Sequence, residues 1–392
     1  MNVLLAAVLF VCAQESPVDP WRRNVKIRPL IPDVAAHLIH SYYVTTPESP
    51  DGRRVLFYQS TTPEGEEGEI RVLERETGKV RTLVSRITAE DAHRAACQQW
   101  IRGGKSVVFH DFRDGEWCVA IVDVETLLER VLVKGRQLGW GPPNGKIVPL
   151  YGPHARPDGH RDLELLDVES GEIRTVLAAD LVARTYADWI TKKFGARPIS
   201  IFFPVMSPDG ARVFFKLAAA RESSIDPKST ELFRRATASD RAGLLVFDLK
   251  AEKLTFQEPH GWGHPAWVPD SRRILEVGHL LIDADDGGEH RIPGMPALKG
   301  GPHPSASPDG KLFVTDFTPP LGEPKPKGFW SLLLGDLSGD RSLILHTFDL
   351  TGGAKSWRPS HPHPVFSPDG RRIYFNATVN GWTQLSVAEL DR

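Results

Sequence analysis

Short apolar runs that alternate with polar positions fill most of this chain, and one turn interrupts them again and again. SPDGRRVLF starts at Ser49, SPDGARVFF at Ser207, VPDSRRILE at Val268, SPDGKLFVT at Ser307 and SPDGRRIYF at Ser367. Two weaker copies, RGGKSVVFH from Arg102 and PNGKIVPLY from Pro143, bring the number of units to seven. Proline presets φ for the turn, Asp-Gly tolerates the positive φ that follows, and an apolar strand comes next. Each unit continues into segments such as EIRVLERETGKVRTL and DLELLDVESGEIRTV, which themselves read as hairpins. About four strands over roughly 40 to 65 residues is the signature of a β-propeller blade. The pattern therefore predicts an all-β fold, a seven-bladed β-propeller of four-stranded blades spanning residues 22–392.

The last unit ends one strand short, after TQLSVAEL. VKIRPL, residues 25–30, is predicted to complete it and close the ring, which removes open sheet edges. Two stretches break the rhythm. Residues 178–199, with LVARTYADWITKKFG, read as a helical insertion, and residues 221–241 as a long polar loop. Such insertions in propellers often border the binding site.

Composition narrows the functions. The 392 residues carry a net charge of −2, so the chain lacks the basic footprint of a nucleic-acid binder. The start, MNVLLAAVLFVCAQESP, reads as a secretory signal over residues 1–13, although it lacks a positive n-region. Its apolar core is too short to span a bilayer, and no transmembrane span remains once it is removed. The expected location is periplasmic or extracellular. A lipid anchor at Cys12 is less favoured, because Val11 is bulky for the preceding position. Export permits a disulfide between Cys97 and Cys118, but two buried thiols on non-neighbouring strands is the preferred reading.

Candidate chemistry lies in the C-terminal repeats. His264, His303 and His363 each stand six residues before the turn aspartate of their unit, Asp270, Asp309 and Asp369. Thr45, Cys97 and Phe203 hold that position in the first, second and fourth units. It is expected on the first strand of each blade, so three imidazoles from neighbouring blades should converge near the axis. His361 lies two residues before His363 and, on a strand, shares its face. Neutral imidazole is a common ligand of zinc, manganese, iron or nickel. The bland alternative is a polar channel lining that bonds water and backbone. His37, His93, His154 and His346 share no register and read as surface or structural.

SHPHPVFSPDG (360–370), GPHPSASPDGKLFVTD (301–316) and GHPAWVPDS (263–271) resemble the metal-binding and catalytic segments of the oligogalacturonate lyases. These are seven-bladed propellers that cleave short pectin fragments by β-elimination. The resemblance implies that His303, His361 and His363 bind a divalent metal, typically Mn2+, and that His264 is the base. It departs at one position: where the family has a Gln ligand, three residues before the His pair, this chain has Arg358. Arginine is cationic and cannot ligate, so Arg358 is expected to contribute to substrate binding. Arg241 is the nearest match to the family's active-site arginine. The implied substrate is an acidic oligosaccharide. The repeats also resemble Tol-type periplasmic propellers, which leaves a non-catalytic binding or scaffold protein as the alternative. A metal enzyme acting on another acidic sugar is also compatible. A propeller-borne serine peptidase is not, since the chain has no G-x-S-x-G elbow.

Overall fold

The computed structural model describes residues 15–23, 25–152, 160–220, 239–256, 263–276, 280–293, 302–318, 328–339 and 341–391, together with Met295 and Leu298. The predicted leader, His154 and most of the predicted polar loop (221–238) lie outside them.

Seven antiparallel sheets of four strands form the blades of a propeller. Blade 1 comprises His37–Ile39, Arg54–Ser60, Glu67–Glu74 and Val80–Thr88. Blades 2 to 6 span residues 99–134, 137–177, 200–256, 266–291 and 305–349. Blade 7 takes three strands from residues 365–390 and its fourth, Val25–Pro29, from the N-terminal segment. That strand runs antiparallel to Trp382–Leu390, with Ile27 opposite Ala388.

The recurring turn has a recurring bonding pattern. Ser49, Ser207, Ser307 and Ser367 each donate Oγ–H to the aspartate two residues on, at 2.6 Å. The same Oγ accepts the backbone N–H five residues on, at 2.9 or 3.0 Å. The turn glycines take φ of +66° to +73°, which a Cβ would disfavour. One Ser-Asp pair thus sets the angle between the first and second strands of four blades.

Apolar side chains fill the spaces between adjacent sheets. Leu56, Val72, Trp100 and Phe109 pack between blades 1 and 2, and Val314, Leu334, Ile373 and Phe375 between blades 6 and 7. Each such side chain contributes about 1.5–3 kcal/mol of burial free energy. The predicted insertion is helical, Ala179–Thr185 and Ala187–Phe194, and buries Val182, Ile190 and Phe194 against blades 3 and 4. Ser239–Arg241, placed in the polar loop by the sequence pattern, instead begin the third strand of blade 4. Cys97 and Cys118 are buried free thiols, as expected. No helix among the described residues is long and apolar enough to cross a membrane.

A buried ion pair joins the two ends of the ring. Glu48, ahead of the second strand of blade 1, is fully buried. It accepts Nε and Nη2 of Arg372 at 2.9 Å each, and the Tyr374 hydroxyl at 2.5 Å, from blade 7.

Candidate metal centre

The innermost strands of blades 5, 6 and 7 are Ala266–Trp267, Ser305–Ala306 and Val365–Phe366. His264, His303 and His363 each stand two residues ahead of them, in the chain entering the blade rather than on the strand itself. His363 has φ +47°. Cys97 and Phe203, at the same register, also have positive φ, +49° and +56°. The left-handed kink recurs at this register in three units and does not follow the imidazole, since His264 and His303 do not share it. It costs about 1–3 kcal/mol at a non-glycine residue. It also means that strand alternation is not what brings His361 and His363 together, although their ring centroids lie 5.9 Å apart.

The predicted histidines do converge. Ring centroids of His264 and His303 are 4.2 Å apart, those of His303 and His363 4.5 Å, and those of His303 and His361 5.3 Å. His93, expected to be structural, joins them: its ring is 4.5 Å from both His361 and His363. One ring nitrogen from each of His93, His303, His361 and His363 can face a common point, and these atoms all lie within 4.8 Å of one another.

His93 arrives by a tertiary docking that no repeat register encodes. Residues 90–93, between blades 1 and 2, lie along residues 356–359, which lead into blade 7. Trp357 Nε1 donates to the Glu90 carbonyl at 2.9 Å, and the Ala92 N–H donates to Ser356 Oγ at 3.2 Å. Arg358 approaches Asp91 at 3.8 Å. His93 Nδ1 meets the Pro359 carbonyl at 3.2 Å, so that nitrogen carries the proton. Nε2 of His93 is then left buried without a hydrogen-bond partner.

Asp316 orients a second ligand in the same way. His303 Nδ1 lies 3.0 Å from both carboxylate oxygens, which makes it the donor. Asp316 also accepts the backbone N–H of His303 at 2.7 Å and of His363 at 3.3 Å. His303 Nε2, His361 Nδ1 and both ring nitrogens of His363 are buried without hydrogen-bond partners. Buried polar atoms are rarely left so. A cluster of unpartnered imidazole nitrogens facing one another is what a metal site requires, so the residues fit a divalent ion.

A signal for the supporting residues does exist in the sequence. Lys216, Asp316 and Asn376 each follow their turn aspartate (Asp209, Asp309, Asp369) by seven residues and interrupt an apolar strand. All three are buried. Asp316 of blade 6 reaches the entry to blade 7. Asn376 of blade 7 accepts the His40 N–H at 2.9 Å, just after the first strand of blade 1, and donates to the His361 carbonyl at 3.1 Å. Lys216 of blade 4 stands close enough to His264, at the entry to blade 5, that its charge lowers the imidazole pKa.

Three guanidiniums, Arg94, Arg241 and Arg358, act together on Tyr42, which lies against the histidines. Arg94 pairs with Glu90 and donates to the Tyr151 hydroxyl at 2.9 Å. Arg241, on the blade before His264 as expected, lies 4.5 Å over the Phe202 ring. Burial and the two neighbouring arginines lower its pKa to about 9. His264 is held well below the usual imidazole value by burial, His303, Lys216 and Arg358. Tyr42 stacks on Trp140 at 5.6 Å, and Tyr43 lies 5.1 Å from His303.

No family model matches the chain, and no curated protein matches it by sequence. Solved structures do resemble it. An oligogalacturonate lyase in complex with manganese superposes with a TM-score of 0.64 at 17% identity, over 93% of each chain. The oligogalacturonate lyase from Vibrio parahaemolyticus gives 0.61 at 13% identity, over 94% of this chain and 98% of that one. A prolyl endopeptidase gives 0.53 at 12% identity, over 90% of this chain and 51% of that one. At these identities the likeness establishes architecture: the chain is a seven-bladed propeller with the fold of the oligogalacturonate lyases.

Proposed function

We propose that this protein is a lyase that cleaves short oligogalacturonates, or related uronate oligosaccharides, by metal-assisted β-elimination. The observation that carries the reading is the position of His264. It lies in ring contact with His303 but outside the group of four imidazoles that could hold a metal, within reach of the Arg358 charge.

The reaction removes the proton at C5, next to the uronate carboxylate. The electron pair forms the C4–C5 double bond, and the glycosidic oxygen leaves from C4 and takes a proton from water. A divalent ion, which His303, His361 and His363 would hold, would supply positive charge to stabilise the carboxylate as negative charge builds on it. Arg358 and Arg241 bind and orient that carboxylate. His264, held well below the usual imidazole value, is neutral at physiological pH and is the group that takes the C5 proton. A bound anion counters the cations around His264 and raises its basicity toward the ordinary imidazole range. The apolar leader, residues 1–13, supports placing this activity outside the cytoplasm.

The test is to load the purified protein with a divalent metal and supply galacturonate oligomers, reading ultraviolet absorbance of the unsaturated product. His264→Ala is expected to abolish turnover while bound metal stays at the wild-type level. Loss of metal in that variant would overturn the division between base and ligands. Absence of product from every uronate oligomer with the metal site filled would overturn the lyase reading.

A further inference from the structure

We infer that His93 is a direct ligand and that the centre is an all-imidazole site, built for a borderline ion such as zinc, nickel or iron(II) in preference to manganese. The inference deepens the metal-assisted reading above and rests on the same cluster.

The argument is the donor set. Four histidines share one focus, and among the described residues no carboxylate or thiolate joins them in the cluster. The nearest carboxylate, Asp316, is engaged by His303 Nδ1 and two backbone N–H groups, behind the ligands rather than among them. The position where an amide ligand is expected from the resemblance holds Arg358, whose guanidinium turns to Asp91. His93 fills the set from another part of the chain, its Nδ1 proton fixed on Pro359 and its Nε2 unpartnered. Manganese is a hard ion that favours oxygen and stands lowest among the first-row divalent ions at nitrogen sites, whereas imidazole suits zinc, nickel and iron.

Zinc exceeds manganese at most nitrogen sites, so the discriminating measurement is the effect of His93. Metal-free protein is equilibrated with equimolar zinc, nickel and manganese without any sugar, and bound metal is measured by mass spectrometry. Wild type is expected to take zinc or nickel over manganese by roughly a hundredfold or more. His93→Gln, which substitutes an amide oxygen, is expected to narrow that ratio by about tenfold or more. Cobalt(II) supplies a second readout. Its visible spectrum in wild type should be that of nitrogen ligation, and should change in His93→Gln and also in His93→Ala. Equal occupancy by manganese and zinc in wild type, or ratios and cobalt spectra untouched by both substitutions, would overturn the inference. Because no substrate is present, a failure of the lyase reading leaves these outcomes unaffected.

Discussion

Asp316 holds His303 by both ends, accepting its backbone N–H at 2.7 Å and its ring Nδ1–H at 3.0 Å. The carboxylate thereby selects the tautomer that presents Nε2 to the cluster, and through the His363 N–H it ties blade 6 to blade 7. Outer partners of this kind are worth about 10–100-fold in metal affinity. Asp316→Asn is expected to weaken metal binding by about that factor with the propeller retained, as measured by chelator competition beside circular dichroism. Unchanged affinity would show that His303 is oriented by packing alone.

Lys216 lowers the His264 pKa by its charge. Lys216→Met removes that cation, so the imidazole pKa should rise. The base must be neutral to act, and the acidic limb of kcat/KM should therefore move to higher pH. A drop in rate with the limb unmoved would mean that Lys216 serves packing only. Glu276 acts electrostatically on Lys216, so thermal stability should fall as well.

Glu48 sits fully buried between blades 1 and 7 and is bonded by Arg372 and Tyr374. Glu48→Gln takes the buried carboxylate away from Arg372, which keeps Asp369 at 2.7 Å and Glu389 at 3.5 Å. The expected loss is about 1–3 kcal/mol. Denaturant unfolding of wild type and variant measures it, and a loss under 1 kcal/mol would show that the strand pairing of Val25–Pro29 closes the ring unaided.

Burial lowers His40 and His110 from 6.5 to about 3. Above pH 6.5 both are neutral whether the chain is folded or not. As pH falls from 6.5 toward 3, the unfolded chain takes up protons that the folded one refuses, and stability declines. The maximum slope is about 1.4 kcal/mol per pH unit for each group. Melting of metal-free protein across this range should show the decline, and His110→Gln should make it shallower.

Much of this was legible because it repeats. The Ser-Pro-Asp-Gly turn carries its own hydrogen bonds, from Ser49 to Asp51 or from Ser367 to Asp369, and needs no distant residue. Counting such turns therefore counts blades, and the register of His264, His303 and His363 follows from the symmetry of the ring. The supporting register at Lys216, Asp316 and Asn376 was equally present, as a polar residue breaking an apolar strand, but its meaning depends on what stands at the entry to the next blade.

The sequence by itself determined the seven blades, the closing N-terminal strand and the inward convergence of the histidines, because local turns count the blades and a shared register places equivalent positions around one axis. Only the tertiary structure decided that His93 completes the cluster. Its ring is bonded to Pro359, 266 residues away, by the docking of two irregular segments that share no repeat. The positive φ at His363 was likewise invisible, since that kink arises where the chain turns into a blade against its neighbours. Short-range chemistry is written in the chain as pattern. The last ligand depends on a long-range contact, and a contact of that range leaves no periodic trace.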